Sequence, residues 1–183
     1  MYLGFPYGEV VIYCHPVSGD MIPITPVSCG DEKMKKPPFV LVDFEVPAAL
    51  ETDRFRLRML SVEDVEKDYE AVIESRDLLR SKGGSWPRDG FTLAENLADL
   101  ERHQQEFLDR EAFAYTVVSR DESRVLGCIY INPTDRERVD AEVYMWARQS
   151  EHNLGLDPIL FETVKQWMAE VWPFEVVVYP EVR

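Results

Sequence analysis

The sequence predicts an α/β domain of the α+β type, in which helices flank a central mixed sheet from about residue 52 onward. Residues 113–147 hold three successive apolar, β-branched or aromatic runs separated by polar loops, which indicates three neighbouring strands. Two segments with helical spacing of apolar residues precede these strands, and a third follows them. A length of 183 residues suits one domain with a well-filled core.

The first predicted elements are a strand and two helices. Charged and apolar residues alternate from Arg54 to Met59, as in a half-buried strand. Ser61 is a candidate N-cap for a helix that runs to Leu79. Thr92 and Glu95 have the spacing of a capping box, which predicts where the second helix begins. The apolar spacing of that second helix is carried by Leu93, Leu97, Leu100, Gln104, Phe107 and Leu108.

Four strands and one helix complete the predicted order β-α-α-β-β-β-α-β. The strands are predicted over residues 113–118, 124–131, 139–147 and 174–179. Asp157 is a candidate cap, and proline is favoured at the first helical position, so we expect the last helix to begin at Pro158.

Residues 1–50 are predicted to form a proline-rich extension to a domain that spans residues 51–183. Two short apolar runs within the extension, at residues 9–14 and 39–44, are candidates for strands at a sheet edge, where nearby proline is tolerated. An uncovered edge invites aggregation, and these runs are therefore expected to cover it.

The chain is strongly acidic, with 34 acidic and 20 basic side chains and a net charge of −14. Such a surface repels phosphate backbones and anionic lipids, which disfavours nucleic acids and membrane surfaces as partners. A cationic amine would be attracted. The alternative is that the charge only keeps the protein in solution.

The cysteines and histidines predict neither disulfides nor a metal site. Their spacing matches no metal motif, and an odd number of widely separated cysteines suits reduced thiols in a cytoplasmic protein. The start of the chain has no secretory signal pattern, and no apolar stretch approaches the ~20 residues needed to span a bilayer. Cys128 is expected in the core and His103 on an exposed helix face. The other cysteines and histidines of the chain are Cys14, Cys29, His15 and His152.

The element order and two local runs resemble the GNAT family of acetyl-CoA-dependent N-acyltransferases. Residues 50–58 are similar to the opening strand of that family, and residues 141–146 are similar to its fourth strand. The resemblance covers roughly Thr52 to Tyr179. It implies that the fourth strand parts from the fifth and that the pantetheine arm of acetyl-CoA lies in the gap. Backbone groups of Met145, Trp146 and Ala147 would then contact that arm.

In the family, the loop after the fourth strand binds the cofactor pyrophosphate through a pattern of Arg or Gln, two residues, Gly, one residue, and Gly or Ala. The matching positions here run from Ser150 to Gly155. Of these, Gly155 fits the pattern, whereas Ser150 stands where an Arg or Gln is expected. Asn153 replaces the first glycine, and asparagine enters the left-handed region more readily than most residues. Asn153 and Gly155 are therefore the candidate pyrophosphate contacts, and Glu151 adds a charge of the wrong sign.

The resemblance also implies catalytic roles for Glu142 and Tyr179. A carboxylate on the central strand can take the proton from an attacking ammonium, directly or through water. The alternative is that Glu142 pairs with an arginine such as Arg148 or Arg124, or faces solvent. Family members protonate the leaving thiolate with a tyrosine on a later helix. The sequence ends at Arg183, so that helix and the last hairpin are expected to be absent, and Tyr179 is the candidate at that end.

Trp86, Arg88 and Asp89 lie between the two early helices, where the family admits its acceptor, and are candidate substrate contacts. The alternative is that Trp86 packs on the core. The sequence thus predicts an enzyme that transfers an acetyl group from acetyl-CoA to a small amine or a peptide amino group. An inactive GNAT-like binding or homodimerisation module is the second hypothesis, and an unrelated α/β domain is the third.

Overall fold

The computed structural model describes residues 39–82 and 84–180 of the chain. Within them, six strands form one sheet: β1 Ala49–Glu51, β2 Arg56–Met59, β3 Phe113–Val118, β4 Val125–Asn132, β5 Ala141–Ala147 and β6 Val177–Val178. The helices are α1 Val65–Glu74, α2 Arg76–Ser81, α3 Leu93–Leu108, α4 Gln149–Asn153 and α5 Leu156–Val171, and a 3₁₀ turn, Val62–Asp64, leads into α1. None of the described helices is long and apolar enough to cross a membrane.

The strands follow one another across the sheet in chain order. Each strand from β1 to β5 pairs antiparallel with the next, whereas β5 and β6 run parallel. The helices lie on both faces, because one buried cluster joins the sheet to α5 and another joins it to α1 and α3. The predicted α+β class and mixed sheet are confirmed.

Strand β5 contributes to both faces because its side chains alternate. Ala141, Val143 and Ala147 belong to the cluster on the α5 side. Trp146 belongs to the cluster on the side of α1 and α3. Glu142 and Tyr144 therefore share the α1 and α3 side with Trp146.

Local sequence signals placed several boundaries correctly. The Ser61 side chain accepts a hydrogen bond from the backbone N–H of Glu63, and Thr92 and Glu95 form the expected reciprocal capping box. Strand β3 has the predicted bounds, and Cys128 is fully buried in the core as expected.

The prediction of a strand over residues 39–44 is wrong. This segment forms bends and a turn, because the Arg110 guanidinium donates to the carbonyls of Leu41 at 2.6 Å and Phe44 at 2.8 Å. The Phe39 ring stacks on Phe174 with centroids 4.9 Å apart, so the segment still adds to the core. At this edge of the sheet the outermost described strand is β1, and the run at residues 9–14 lies outside the described residues.

Two helix boundaries also differ from the prediction. The first helix divides at Ser75, which separates α1 from α2 and whose hydroxyl accepts a bond from the backbone N–H of Gln149. The last helix begins at Leu156 rather than Pro158, after the short helix α4. Gly155 precedes it with φ +77°, a left-handed conformation that suits glycine.

Candidate active site

Strands β5 and β6 are paired over only two residues. Ala141 pairs with Val177 and Glu142 pairs with Val178. Beyond Glu142, β5 continues for five residues that pair with β4 but with no described strand on the β6 side. We call the space beside residues 143–147 the strand gap. It lies where the resemblance predicted the cofactor arm.

A cavity of about 470 Å³ lies beside β4 and β5, on the face covered by α1 and α3. Its volume is within the range of small-molecule sites, about 300–1,000 Å³. The lining combines aromatic, aliphatic and charged side chains. They include Leu60, Asp68, Leu79, Lys82, Trp86, Asn96, Asp99, Leu100, Arg102, His103, Tyr130, Asn132, Tyr144, Met145 and Trp146.

Glu142 does not line this cavity itself but contacts Tyr144, which does. Its carboxylate accepts hydrogen bonds from the Tyr144 hydroxyl at 2.7 Å and the Thr134 hydroxyl at 3.0 Å, and pairs with Arg136 at 2.8 Å. These partners, Tyr144 first, lower the pKa of Glu142, so the carboxylate is ionised at neutral pH. Since Tyr144 lines the cavity, it connects Glu142 to that space.

The arginine that pairs with Glu142 is not one of those predicted from the sequence. Arg148 pairs with Glu70 and Glu74, and Arg124 pairs with Glu151. Arg136 was missed because it lies in an irregular loop, where residue spacing does not indicate which side chains meet.

Tyr179 follows β6 directly and is half-buried. Its ring meets Phe161 of α5 edge-on, with centroids 5.4 Å apart, and burial raises the pKa of its hydroxyl. It packs with the cluster on the α5 face of the sheet, whereas the Glu142 side chain lies on the other face. The structure thus places the two candidate catalytic residues on opposite faces.

The segment after β5, residues 148–155, is called here the phosphate turn. Two of its amides already have partners in the protein: Gln149 donates to the Ser75 hydroxyl and Ser150 donates to the Glu74 carboxylate, both at 2.9 Å. Asn153 ends α4 instead of adopting the left-handed conformation, whereas Gly155 does adopt it. The turn therefore differs from the family pattern in its backbone conformation at Asn153 and in having two backbone N–H groups that already donate to protein partners.

Arg148 holds the phosphate turn against α1. Its side chain is 5% exposed and lies 2.5 Å from carboxylate oxygens of both Glu70 and Glu74. The hydrogen bond from Arg148 is the largest of the interactions that lower the pKa of Glu74 to about 2. An acidic pair thus occupies the helix side of the turn, and its charge opposes a second anion there.

The three candidate substrate contacts in the loop before α3 are placed differently. Trp86 lines the cavity and is 39% exposed, with its ring edge-on to Phe91. Arg88 donates to Glu95 at 2.9 Å on the surface. Asp89 is exposed and pairs with Arg80 at 2.8 Å.

Asp68 and Asn96 line the cavity but were not identified from the sequence. Both are buried, and the Asn96 amide donates to the Asp68 carboxylate at 2.9 Å. A signal was present, since Asp68 lies at helical spacing between Val65 and Val72, in the apolar stripe of α1. A polar side chain in such a stripe is a candidate for a site.

His103 was expected on an exposed face but is half-buried at the cavity. Its ring lies 5.0 Å from the Tyr130 ring, and its Nδ1 lies 2.9 Å from the Glu106 carboxylate. Burial lowers the pKa of His103, which favours the neutral ring. His152 instead pairs with Asp157 at 2.7 Å. Among the described residues, no group of three or more potential His, Cys, Asp or Glu ligands could hold a metal ion.

Solved structures with similar folds include three acetyltransferases. A ribosomal protein S5 alanine acetyltransferase from Vibrio fischeri shares 15% identity over 67% of each chain, with a TM-score of 0.56. The microcin C7 self-immunity acetyltransferase MccE, solved with acetyl-CoA and AMP, shares 12% identity over 69% of this chain and 70% of its own, with a TM-score of 0.53. A probable acetyltransferase shares 14% identity over 72% of each chain, with a TM-score of 0.58.

The chain has the GNAT fold, also called the acyl-CoA N-acyltransferase fold. No family model matches the sequence. No curated protein matches it either. At these identities the similarity shows the fold, and the hypothesis of an unrelated topology is set aside.

Proposed function

We propose that the protein is an N-acetyltransferase that uses acetyl-CoA to acetylate a small amine or a peptide amino group. The observation that carries this proposal is the strand gap, which opens on β5 immediately after Glu142. The cavity beside the same strand offers a place for the amine. A cofactor site and an acceptor site would thus meet at one strand.

The strand gap fits the arm of acetyl-CoA. Residues 143–147 have no described strand partner on the β6 side, so backbone groups of Met145, Trp146 and Ala147 are the candidates to pair with the amides of pantetheine. Bound there, acetyl-CoA would supply the acetyl group as an activated thioester.

The phosphate turn fits the cofactor less well. Gly155 and Asn153 remain the candidate contacts, but Glu74 and Ser75 already satisfy two amides at its start. The carboxylates of Glu70 and Glu74 also oppose an incoming pyrophosphate. We therefore expect weaker acetyl-CoA binding than a glycine-rich turn would give.

Glu142 is the proposed general base. It is ionised at neutral pH and lies on the cavity side of β5, so it can take a proton from the acceptor ammonium directly or through water. Its lowered pKa makes it a weak base, and relay through the Tyr144 hydroxyl or a water offers a path. Tyr179 is the proposed proton donor by resemblance, although its ring packs on the α5 face opposite Glu142. Trp86 is the proposed acceptor contact in the cavity, and Arg88 and Asp89 are proposed contacts only at the surface beside it.

The test combines calorimetric titration of acetyl-CoA with an acetylation assay on a panel of primary amines and amino-terminal peptides. Glu142→Gln should lower kcat/KM by about 10²–10⁴-fold and leave the heat of acetyl-CoA binding unchanged. Glu137→Gln, an exposed residue in the preceding loop, is the matched control and should retain activity. Unchanged turnover in Glu142→Gln would reject Glu142 as the base.

An inactive GNAT-like binding module is the second candidate function. The internal partners of the phosphate turn favour it, because Glu74 and Ser75 use amides that a pyrophosphate would need. The same titration decides between the two functions. Absence of binding heat at millimolar acetyl-CoA would remove the enzyme and leave the module, for which a homodimer is the partner to test.

A further inference from the structure

Asp68 is a buried carboxylate in the cavity wall and forms no salt bridge within residues 39–82 and 84–180. It is 5% exposed, and its partners are the Asn96 amide at 2.9 Å and the Cys128 thiol at 3.5 Å. Burial raises its pKa, because the charged form loses water, and the nearby carboxylates of Asp64 and Asp99 add to the effect. A cation in the cavity would relieve this cost.

The cations at the cavity already have other partners. Lys82 pairs with Asp157 at 3.7 Å, and Arg102 pairs with Asp99 at 3.3 Å. His103 is held towards its neutral form by burial. Asp68 is therefore the cavity carboxylate whose charge these groups leave uncompensated.

The rest of the wall suits an organic cation. Aromatic rings attract a cation at their faces, and they exclude water around it. Trp146 is 5% exposed, and its indole N–H lies beside the Tyr130 hydroxyl without meeting it in hydrogen-bonding geometry, so this donor has no partner among the residues that the structure describes. The aromatic and aliphatic lining consists of Trp86, Tyr130, Tyr144, Trp146, Leu60, Leu79, Leu100 and Met145.

We infer that the cavity selects a small amine with a compact apolar or aromatic body, and that Asp68 is the residue that recognises its positive charge. The inference rests on the proposed function, since the amine held here is the acceptor. It concerns amine binding, which can be measured without acetyl-CoA. It therefore names a narrower substrate class than amino groups in general.

The cavity volume favours a small molecule over an extended peptide. About 470 Å³ accommodates a compact ligand body, and the buried carboxylate and aromatic rings can surround one ammonium group. An extended peptide would have to leave most of its backbone outside this volume, whereas a compact amine fits within it.

The experiment compares two probes that share one body. Phenethylamine carries the ammonium, and 2-phenylethanol is its neutral analogue. Calorimetric titration into the full chain, without acetyl-CoA, should show phenethylamine binding at least about tenfold more tightly. Asp68→Asn should remove that preference. Asp77→Asn, an exposed aspartate on α2, is the matched control and should keep it.

Equal affinity for the two probes in the unaltered protein would overturn the inference, even if Asp68→Asn fails to fold. A preference for phenethylamine that survives in a folded Asp68→Asn protein would also overturn it. Tighter binding of a tripeptide with an amino-terminal alanine than of phenethylamine would do so as well. Amine binding without acetyl-CoA binding would reject the proposed acetyltransferase function but support amine recognition by the cavity. Acetyl-CoA binding and turnover without selectivity for the amine would support the acetyltransferase function but reject amine recognition by Asp68.

Discussion

At position 68 a carboxylate occupies the apolar stripe of α1, where an aliphatic side chain would stabilise the core more. Such a residue is retained at a cost to stability when it serves a site. Its two hydrogen bonds reduce the cost without supplying a countercharge. The free energy of unfolding of the isosteric variant Asp68→Asn therefore measures how much the buried charge destabilises the fold.

Asp68→Asn should leave the free energy of unfolding unchanged or raise it by about 1 kcal/mol near neutral pH. The folded pKa of Asp68 lies above its unfolded value, so the unfolded state ionises first as pH rises. Asp68 thus makes stability fall as pH rises from the usual carboxyl pKa of about 3.9, and the variant should lose this contribution. Urea denaturation across that range measures it, and a marked loss of stability in the variant would contradict the prediction.

Glu74 gives the opposite pH dependence of stability. Its pKa is lowered to about 2 by Arg148, the backbone of Ser150 and neighbouring polar contacts. Its ionised form therefore stabilises the fold above the usual carboxyl pKa of about 4.3, and that contribution is lost as pH falls towards about 2.

Glu74→Gln should cost about 1–3 kcal/mol at neutral pH, because Arg148 is buried and keeps only Glu70 as a charged partner. The partial exposure of Glu74 places the expected value towards the lower end. Chemical denaturation measures the loss, which should shrink in acid. Glu66→Gln, on the exposed side of the same helix, is the control and should change stability little.

Helix α3 buries only part of the predicted apolar stripe: Leu100 and Phe107 face the core, whereas other leucines of the stripe are exposed. Leu93 and Leu97 are 41% and 36% exposed, whereas Leu100 is 3% exposed and Asn96 is buried. The capping box gave the helix start correctly, because capping is a local interaction. The rotation of the helix depends on the sheet beneath it, which the spacing of leucines alone does not specify.

Two matched truncations test this orientation. Leu100→Ala should lower the free energy of unfolding by about 2–4 kcal/mol, since it removes a buried side chain and enlarges the adjoining cavity. Leu97→Ala removes the same atoms from a partly exposed position and should cost less than about 1 kcal/mol. Urea denaturation of both variants provides the comparison, and equal losses would show that the orientation is wrong.

The element order was predictable because strand alternation, helical spacing and caps are read within a few residues. The strand gap followed from the resemblance to the GNAT family. The break at Ser75 and the start of α5 were not predictable, because Ser75 is fixed by Gln149, which lies far away in the chain. Likewise, the link between Glu142 and Arg136 forms across an irregular loop.

The strand gap makes a prediction for hydrogen exchange in β5. If acetyl-CoA binds there, amides in residues 143–147 should exchange more slowly when it is added, because backbone groups without a partner on the β6 side gain one. Strand β3, buried throughout, is the internal control and should not change. Mass-spectrometric hydrogen exchange measures both segments, and unchanged protection of β5 under saturating cofactor would place the cofactor elsewhere.

Across the whole molecule, the net charge of −14 acts together with the buried carboxylate of Asp68. The two contributions respond differently to salt, because exposed charges are screened over about 10 Å at 0.1 M ionic strength and buried charges much less. Added salt should therefore weaken phenethylamine binding modestly by reducing the long-range attraction. The ratio of its affinities for the unaltered protein and Asp68→Asn should stay nearly constant. Titrations at low and high salt test this, with 2-phenylethanol as the salt-insensitive control. A ratio that collapses in high salt would assign amine selection to the general acidic surface instead of to Asp68.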